Sequence, residues 1–459
     1  MNQDDLSDIQ SVILYAYKNL PHASYLILSI EHPDLFKQWL REHLPEVTPS
    51  TQKDTSSALN IAFTSSGLEN LGLPQDTHEQ FSREFKEGIY TEKRSQLLGD
   101  IGSNASEHWE WGGKARPTVD AILLCFSETE SGLSDLVTHL TYELEAYTSI
   151  HPLTTEALYE RKEHFGFRDG VSQPGIKGIH TQNSDQLPAG EFLLGHTSAY
   201  GSDTPAPGSE HDKSHRYANF GYNGSYLVFR QLEQDVQGFW RYLDNQSSEE
   251  NDKVYLAAKM VGRWPNGAPL ELFPDREPEH FNPNSANSFD FSGDTMGHKC
   301  PMASHIRRTN PRATDLGLDE DEAVRSVNHH RILRRGRPYG KPLHSKLLPT
   351  SMLKAEDNGE TRGLQFLCFN ADLARQFEFI QQTWVNNEKF NGLYNDLDPL
   401  LGARPRPSGP SGDDFSIAKK PIRQRLKCVP QFVTTRGASY FFMPSLSALK
   451  QLAHTDTDA

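Results

Sequence analysis

The chain has 459 residues, enough for two or three average domains or for one large fold built by duplication. Its 46 Lys and Arg against 61 Asp and Glu leave a formal net charge of −15, which excludes a general nucleic-acid surface because that surface needs a basic footprint. No apolar run has the length of a membrane span, and the acidic residues 1–5 lack the layout of a secretory signal, so we expect a cytoplasmic protein without a membrane partner.

The first half of the chain predicts two strand–helix units. Residues 24–28 form a short apolar run, and residues 35–44 after them carry apolar side chains at helical spacing. Residues 122–126 are a second such run, followed by a helical pattern over 133–140. Runs of four to six apolar residues suit sheet strands, and a 3.6-residue period suits helices packed on one face.

The same order of elements returns in the second half. The run at 225–229 precedes a helical pattern over 236–243, and the run at 366–369 precedes one over 373–384. This repetition predicts an α+β fold of two ferredoxin-like (split βαβ) modules related by internal duplication, with antiparallel sheets and helices on the outer faces.

The predicted modules are joined by a long connection. We expect an N-terminal ferredoxin-like module at residues 1–180, a connection at 181–224 and a C-terminal module at 225–459. The connection is rich in Gly, Ser, Pro and His without periodicity, which is typical of a surface segment. Residues 402–427, rich in Pro and Gly, predict another loop, and long loops inside a compact fold are more often functional than idle.

The segment HFGFRDG at 164–170 is the first candidate site. It places Asp169 beside Arg168 and between Gly166 and Gly170, in a stretch of aromatic residues. Glycine permits backbone angles closed to other residues, so the pattern indicates a shaped loop around the carboxylate. Apolar walls shift a carboxyl pKa, as acid/base catalysis requires. The alternative is a solvated turn with both charged side chains exposed.

A second candidate is CPMASHIRRTNPR at 300–312. A neutral imidazole at His305 can ligate iron, and the neighbouring arginines can bind anionic groups of a cofactor. Arginine matches a carboxylate with two parallel hydrogen bonds, so Arg312 is a candidate for a porphyrin propionate. A single histidine is more often structural, but few histidines stand beside three arginines and a helix-breaking Asn-Pro.

A third candidate is the segment NHHRILRRGRPYG at 328–340. Residues 331–335 predict a strand that runs into a Gly/Pro turn, and alternation lets Arg334 point into a site while its neighbour stays solvated. The pair His329 and His330 suggests a metal site as an alternative. Adjacent residues of a strand point to opposite faces, so this pair does not bind one ion together.

These blocks resemble the signatures of dye-decolorizing peroxidases. HFGFRDG at 164–170, CPMASHIRRTNPR at 300–312 and ILRRGRPYG at 332–340 match that family in order and approximate spacing. Blocks at 60–73 and 436–446 extend the similarity to nearly the whole chain. By its length and its CPxxxHIRxTNPR block, the chain looks like the longer bacterial and fungal-like forms.

The resemblance implies a haem site in the C-terminal module, with one haem b per chain. His305 matches the proximal axial ligand, Asp169 the distal acid/base and Arg334 the distal arginine, while Asp398 is our candidate for the carboxylate that hydrogen-bonds the proximal imidazole. Side chains at the two motif glycines would crowd the porphyrin or the peroxide. The residues expected around the cofactor are His305, Arg312, Gly166, Phe167, Gly170 and Arg334.

The implied activity is the oxidation of dyes, phenols and similar aromatic reductants by hydrogen peroxide, in one-electron steps. Asp169 moves a proton between the peroxide oxygens, and Arg334 keeps that carboxylate ionised and stabilises developing charge. An acidic pH optimum is expected, because the ordinary pKa of an aspartate is about 4. Tyr339 and Trp384 match positions that carry electrons to the surface in some relatives, and the alternative for each is a packed core aromatic.

Two other functions remain open at this point. One is a haem-binding protein for haem storage, iron release or redox sensing with little turnover, and the other is a ferredoxin-like module without haem. Storage and catalysis both require His305, but only a peroxidase requires Asp169 and Arg334 to act on peroxide. The presence of all three residues favours the enzyme.

Overall fold

The computed structural model describes residues 1–114, 116–180, 185–208, 218–313, 318–404 and 413–454. The strands are β1 His22–Ile30, β2 Ser57–Phe63, β3 Ala121–Ser127, β4 Thr148–Thr154, β5 Gly175–Ile176, β6 Gln186–Leu187, β7 Ser225–Gln234, β8 Leu333–Arg334, β9 Arg337–Tyr339, β10 Gly363–Asn370, β11 Phe415–Ile417, β12 Gln424–Leu426 and β13 Val433–Met443. The α-helices are α1 Gln3–Asp8, α2 Ser11–Leu14, α3 Pro33–His43, α4 Ser65–Asn70, α5 Gln75–Glu79, α6 Arg83–Glu87, α7 Glu92–Leu98, α8 Glu130–Leu144, α9 Val236–Asp244, α10 Glu250–Val261, α11 His305–Thr309, α12 Glu320–Asn328, α13 Pro349–Met352 and α14 Leu446–Ala453. Two π-helical segments, Ala374–Glu378 and Ile380–Val385, follow β10.

The main sheet runs through both halves of the chain. Its order is β4-β1-β3-β2-β13-β7-β10-β8, with β9 also paired to β10. Within each half the fourth strand neighbours the first, and the third lies between the first and the second, as in a split βαβ module. The halves meet where Phe442 of β13 pairs with Phe63 of β2. The predicted α+β class with antiparallel strands is confirmed, but the two expected sheets are one continuous sheet, and the duplication stays a prediction.

The sheet is buried on both faces, which explains its nearly continuous apolar strands. On β3, Leu123 and Cys125 face the cluster that contains Trp39 of α3, whereas Leu124 and Phe126 face the opposite cluster. This alternation follows the two-residue period of a strand. The indole N–H of Trp39 donates to the carbonyl of Leu140 at 3.2 Å and joins α3 to α8. The helices predicted after residues 28 and 126 are therefore present and packed.

A third cluster lies under helix α9 and forms one wall of the site. The helix begins where the Asp235 carboxylate accepts the N–H of Gly238 at 2.7 Å. Its buried Phe239 and Trp240 pack with Phe165, and the indole N–H of Trp240 donates to the Phe165 carbonyl at 3.2 Å. The HFGFRDG segment is thus anchored to the C-terminal half of the fold.

The connection at 181–224 differs from the surface segment predicted for it. In its described part, Phe192 and Leu193 are buried in the apolar cluster on one face of the main sheet, and Leu194 is buried in the cluster on the other face. Residues 405–412 of the second predicted loop lie outside the described residues, and β11 and β12 pair beyond them. The module boundaries stay a prediction. Within the described ranges, no helix is long and apolar enough to cross a membrane.

Candidate haem site

Three separate segments meet around one inner cavity of about 250 Å³. Asp169 comes from the loop after β4, His305 from α11 and Arg334 from β8, and all three line this cavity. The apolar part of its wall is contributed by Phe165, Phe167, Val261, Ile306, Leu364, Phe366, Phe377, Ile380, Val385, Leu400 and Leu401. The structure therefore brings together the three residues that the sequence selected from distant motifs.

His305 is oriented by a buried carboxylate. Its Nδ1 lies 2.9 Å from Oδ2 of Asp398, whose other oxygen accepts the N–H groups of Leu400 and Leu401 at 2.9 Å each. Burial alone would raise the pKa of Asp398, but His305 and these hydrogen bonds hold it below its ordinary value. With Nδ1–H donating to Asp398, the Nε2 lone pair is left over, and Nε2 has no hydrogen-bond partner among the described residues.

The arginines beside His305 are structural, which corrects their predicted role as site residues. Arg307 is buried and donates to Asp294 Oδ2 at 3.0 Å and to the Cys300 carbonyl at 2.7 Å. Arg308 is also buried and donates to the Asp396 carbonyl at 2.5 Å. A guanidinium satisfies several backbone carbonyls at once, so both side chains fix the segment that carries the imidazole.

Asp169 ends a short hairpin and faces the cavity. Its N–H donates to the Arg161 carbonyl at 2.9 Å, and Oδ1 accepts the N–H of Gly170 at 2.6 Å. Arg334 donates through Nη2 to the Ser172 carbonyl at 2.9 Å and through its N–H to Gln173 Oε1 at 3.0 Å. Within the described chain no ion pair joins Asp169 to Arg334, whose partners are Ser172 and Gln173. Both side chains line the cavity, and the effect of Arg334 on the Asp169 carboxylate stays a prediction.

Glu163 is a second carboxylate of this wall, and the sequence reasoning missed it. Oε2 accepts the N–H of Phe165, Oε1 accepts the N–H of Phe167, both at 2.9 Å, and the amide of Gln234 donates to Oε2 at 2.7 Å. Burial raises the pKa of Glu163 to about 7, with the charge of Asp169 adding to the effect and the hydrogen bonds opposing it. The sequence did indicate it in one way: Glu163 directly precedes the motif and lies two and four residues before the N–H groups that it accepts.

The two motif glycines have different surroundings. A Cβ on Gly166, where φ is +94°, would lie 2.5 Å from Met352 Cε and 2.9 Å from the Leu347 carbonyl oxygen. Gly166 is not among the residues that line the cavity, and packing and backbone conformation account for a glycine there. Its predicted cofactor contact stays a prediction. Gly170 lines the cavity, and a Cβ there would meet nothing within 4 Å.

Arg312 faces the cavity with part of its donors already used. Nη1 donates to the Phe289 carbonyl at 2.7 Å and to the Asn287 carbonyl at 3.2 Å, and the guanidinium lies 4.0 Å from the centroid of the Phe289 ring. Burial, with a smaller contribution from the charge of Arg331, lowers the pKa of Arg312 to about 10. Arg331, which also lines the cavity, binds both carboxylate oxygens of Asp185, at 3.2 and 2.6 Å.

Tyr339 and Trp384 are not surface residues. Their exposed fractions are 8% and 2%, because Tyr339 ends β9 in the main sheet and Trp384 packs in a small cluster with Phe390. Both are therefore packed core aromatics, which was the alternative considered for each, and a role in electron transfer stays a prediction.

An exposed aromatic does connect to the cavity elsewhere. Tyr200, 62% exposed, stacks on His329 with ring centroids 3.8 Å apart. The next residue, His330, lines the cavity, stacks on Phe379 at 3.7 Å and meets Trp384 edge to face at 5.4 Å. Tyr200 at the surface is thus connected to the cavity wall by its ring contact with His329 and by the peptide bond between His329 and His330. The sequence reasoning considered the two histidines only as metal ligands.

A wider outer cavity of about 1100 Å³ adjoins the inner one. Both are lined by Arg168, Asp169, Gly170 and Arg334, so the distal residues stand at the boundary between them. Asp169 and Arg334 are therefore accessible from both cavities.

The residues around the inner cavity fit haem. One imidazole nitrogen is available on a histidine whose other nitrogen is fixed, which is the donor expected of an axial ligand. Asn310 Oδ1 is buried in the same wall and has no hydrogen-bond partner among the described residues. Arg312 supplies positive charge for propionates, and the apolar walls suit a flat macrocycle. An α+β fold around such a cavity defines the class as a haem peroxidase.

Comparisons with known proteins agree with this class. A family model described as the DyP dimeric alpha+beta barrel domain matches residues 8–157. The dye-decolorizing peroxidase msp1 of Mycetinis scorodonius is 30% identical, over 97% of this chain and 87% of the relative. The dye-decolorizing peroxidase AauDyP1 of Auricularia auricula-judae is 31% identical, over 98% of this chain and 86% of the relative. The crystal structure of a DyP-type peroxidase from Anabaena sp. superimposes with a TM-score of 0.79 at 26% identity and covers 98% of this chain and 95% of the other.

This chain belongs to the dye-decolorizing peroxidase family. The recognition made from the sequence motifs is confirmed, together with the predicted enzyme class and the need for haem.

Proposed function

We propose that this peroxidase binds one haem b per chain through His305 and reduces hydrogen peroxide with Asp169 as the acid/base, while dyes and phenols supply the electrons. The observation that carries the proposal is the hydrogen bond from His305 Nδ1 to Asp398. Because Nδ1 is bonded to Asp398, the Nε2 atom of His305 is available in the cavity that Asp169 and Arg334 also line. Names of relatives such as the dye-decolorizing peroxidase msp1 support dyes as reductants.

The proximal residues would hold the cofactor. His305 would donate the Nε2 lone pair to the iron, Asp398 would keep the imidazole oriented and basic, and Arg312 would face a propionate. When bound, haem supplies the redox-active iron at which peroxide is reduced.

The distal residues would manage the proton. Asp169 accepts a proton from one oxygen of hydrogen peroxide and returns it to the other oxygen, which leaves as water when the O–O bond breaks. Oδ1 of Asp169 already accepts the Gly170 N–H, so Oδ2 is the oxygen placed to take the proton. Arg334, held by the Ser172 carbonyl, provides a fixed positive charge toward the departing oxygen. The acidic pH optimum stays a prediction.

Reductants too large for the cavity need another route for their electrons. The contact series Tyr200, His329, His330 supports Tyr200 as an oxidation site at the surface, with Trp384 as an internal neighbour of the route. Each one-electron step removes an electron, and for phenols a proton, from the reductant. Tyr339 has no exposed face that suits this role.

The roles are tested by rapid mixing of haem-loaded protein with peroxide. We expect Asp169→Asn and Arg334→Leu to slow peroxide reduction strongly while the haem content and resting spectrum stay normal. His305→Ala should lose haem or change its spectrum. Wild-type rates in both distal variants would overturn the distal assignment, and a normal spectrum in His305→Ala would overturn the axial one. A haem-binding protein with little turnover would fail the peroxide test in the wild type itself.

A further inference from the structure

We infer that Glu163 is a positioning residue for peroxide reduction: its carboxylate locks the turn of the hairpin whose end carries Asp169. This inference rests on the proposed role of Asp169. Glu163 lies outside the motif by which the site was recognised, but its side chain accepts two backbone N–H groups of the hairpin.

The hairpin is built from paired backbone hydrogen bonds. Asp169 N–H donates to the Arg161 carbonyl and Glu163 N–H donates to the Phe167 carbonyl, each at 2.9 Å. Gly166 N–H closes the turn onto the Glu163 carbonyl at 2.8 Å. The turn lies at one end and Asp169 at the other, so any change in the turn is transmitted along two short strands to the carboxylate.

The Glu163 side chain completes this turn from inside. Without it the N–H groups of Phe165 and Phe167 would have no acceptor in the hairpin, since the backbone pairing leaves both pointing toward the glutamate. A buried N–H without a partner is destabilising, because the hydrogen bond it makes to water in the unfolded chain is not replaced. The third bond, from the Gln234 amide, joins the hairpin to β7 of the main sheet.

The division of labour between the two carboxylates follows from their partners. Glu163 accepts three hydrogen bonds and has both oxygens committed. Asp169 accepts one, from its own neighbour, so it retains an oxygen for a proton in transit. Both line the inner cavity, yet of the two only Asp169 also lines the outer cavity. Glu163 therefore positions, and Asp169 reacts.

The decisive variant is Glu163→Gln, with Glu160→Gln as the matched control on the same loop. Glutamine keeps the size but has only one acceptor oxygen, so one of the two amides of the turn loses its partner. Glu160 is exposed, and among the described residues its ion pair is with Lys162 at 3.5 Å, so its variant should leave the Phe165 and Phe167 N–H groups bonded as in the wild type. In a second variant, Glu163→Asp, the side chain keeps its carboxylate but is shorter by one methylene group, so the carboxylate lies farther from the N–H groups of the turn.

Steady-state kinetics separate positioning from mere destabilisation. In a reaction cycle with two substrates, kcat/KM for peroxide reports only the steps in which peroxide binds and is reduced. The value for the reductant reports only the steps in which the reductant binds and is oxidised. We expect Glu163→Gln to lower the peroxide value on the order of 10- to 100-fold, as a misplacement of about 1 Å does, and to leave the reductant value unchanged. Loss of folded or haem-loaded protein would lower both values equally and would overturn the inference.

Two further readouts do not depend on turnover. Hydrogen exchange of the peptide 163–169 in the haem-loaded protein should accelerate in Glu163→Gln and not in Glu160→Gln. Cyanide association with the ferric protein, which also requires a proton acceptor at the cavity, should slow in parallel with peroxide reduction. Unchanged exchange and unchanged cyanide binding would each show that the turn does not depend on Glu163.

The double variant Glu163→Gln/Asp169→Asn distinguishes the two failures. If Glu163 acts through Asp169, its substitution has no further effect on kcat/KM for peroxide once Asp169 is replaced. Fully additive losses would overturn the inference while leaving the role of Asp169 intact. If Asp169→Asn alone reacts with peroxide as wild type does, the proposed function fails instead. A larger loss in Glu163→Gln than in Asp169→Asn would make Glu163 the acid/base and overturn both assignments.

Discussion

His305 Nδ1 and Asp398 Oδ2 lie 2.9 Å apart, although 93 residues separate them in the chain. The carboxylate of Asp398 is completely buried, and its second oxygen accepts the backbone N–H groups of Leu400 and Leu401. Its orientation is therefore fixed before any cofactor binds. The imidazole consequently has one defined tautomer and one defined direction toward the cavity.

Asp398→Asn should weaken the proximal side of the site. The amide keeps the shape but lacks the charge that makes the imidazole a strong donor, so haem affinity or peroxidase activity should fall about 10- to 100-fold. The rate of haem transfer to an acceptor globin and kcat/KM measure the two effects. Asp34→Asn on the exposed start of α3 is the control, and equal values in both variants would count against the role of Asp398.

Tyr200→Phe should separate bulky from small reductants. Phenylalanine keeps the stack on His329 but lacks the hydroxyl whose loss of a proton makes tyrosine oxidation accessible. We expect kcat/KM for a bulky anthraquinone dye to fall several-fold, and the value for a small phenol that enters the outer cavity to stay the same. The exposed Tyr142 on α8 provides the control Tyr142→Phe. A dye activity that survives in Tyr200→Phe would remove this route.

Substitution of the two motif glycines should have unequal costs. Gly166→Ala forces a Cβ to within 2.5 Å of Met352 at a φ of +94°, so the free energy of unfolding should fall by at least about 2 kcal/mol. Gly170→Ala has open space at a φ of +69° and should cost about 1 kcal/mol. Denaturant unfolding measures both. Equal losses would show that backbone conformation alone, without the packing against Met352, explains Gly166.

The sequence was sufficient where a local pattern carries the information. Apolar runs predicted β1, β3, β7 and β10, because burial on both faces selects continuous apolar strands. The motif residues Asp169, His305 and Arg334 were identified because each stands in a distinctive block, and the structure gathers them in one cavity.

The remaining features depend on contacts that no local pattern encodes. The bond from Gln234 to Glu163 and the stack of Tyr200 on His329 join segments far apart in the chain. The burial of Trp384 depends on how its π-helical segment packs against Phe390. Amphipathic periodicity cannot say which aromatic side chain finally reaches the surface.

The buried imidazole of His164 predicts a pH dependence of stability. Its Nε2–H donates to the Tyr339 carbonyl at 2.8 Å, and its Nδ1 has no partner among the described residues. Burial lowers the pKa of His164 to about 4, and the charge of Arg362 acts in the same direction. Below the unfolded-state pKa, about 6.5, the unfolded chain binds a proton that the folded chain refuses. This contribution is complete above pH 6.5 and is lost as the pH falls toward 4.

His164→Gln should remove this dependence, because the glutamine amide can donate to the same carbonyl and does not titrate. Between pH 7 and pH 5 the wild type should lose about 2 kcal/mol more of its unfolding free energy than the variant does. Glu163 acts with the opposite sign, since its raised pKa favours the folded chain as the pH falls through 7, but it is present in both proteins and cancels in the difference. Denaturant unfolding at the two pH values, with His32→Gln on the surface as control, measures that difference. Parallel losses in wild type and His164→Gln would mean that other groups dominate the acid response.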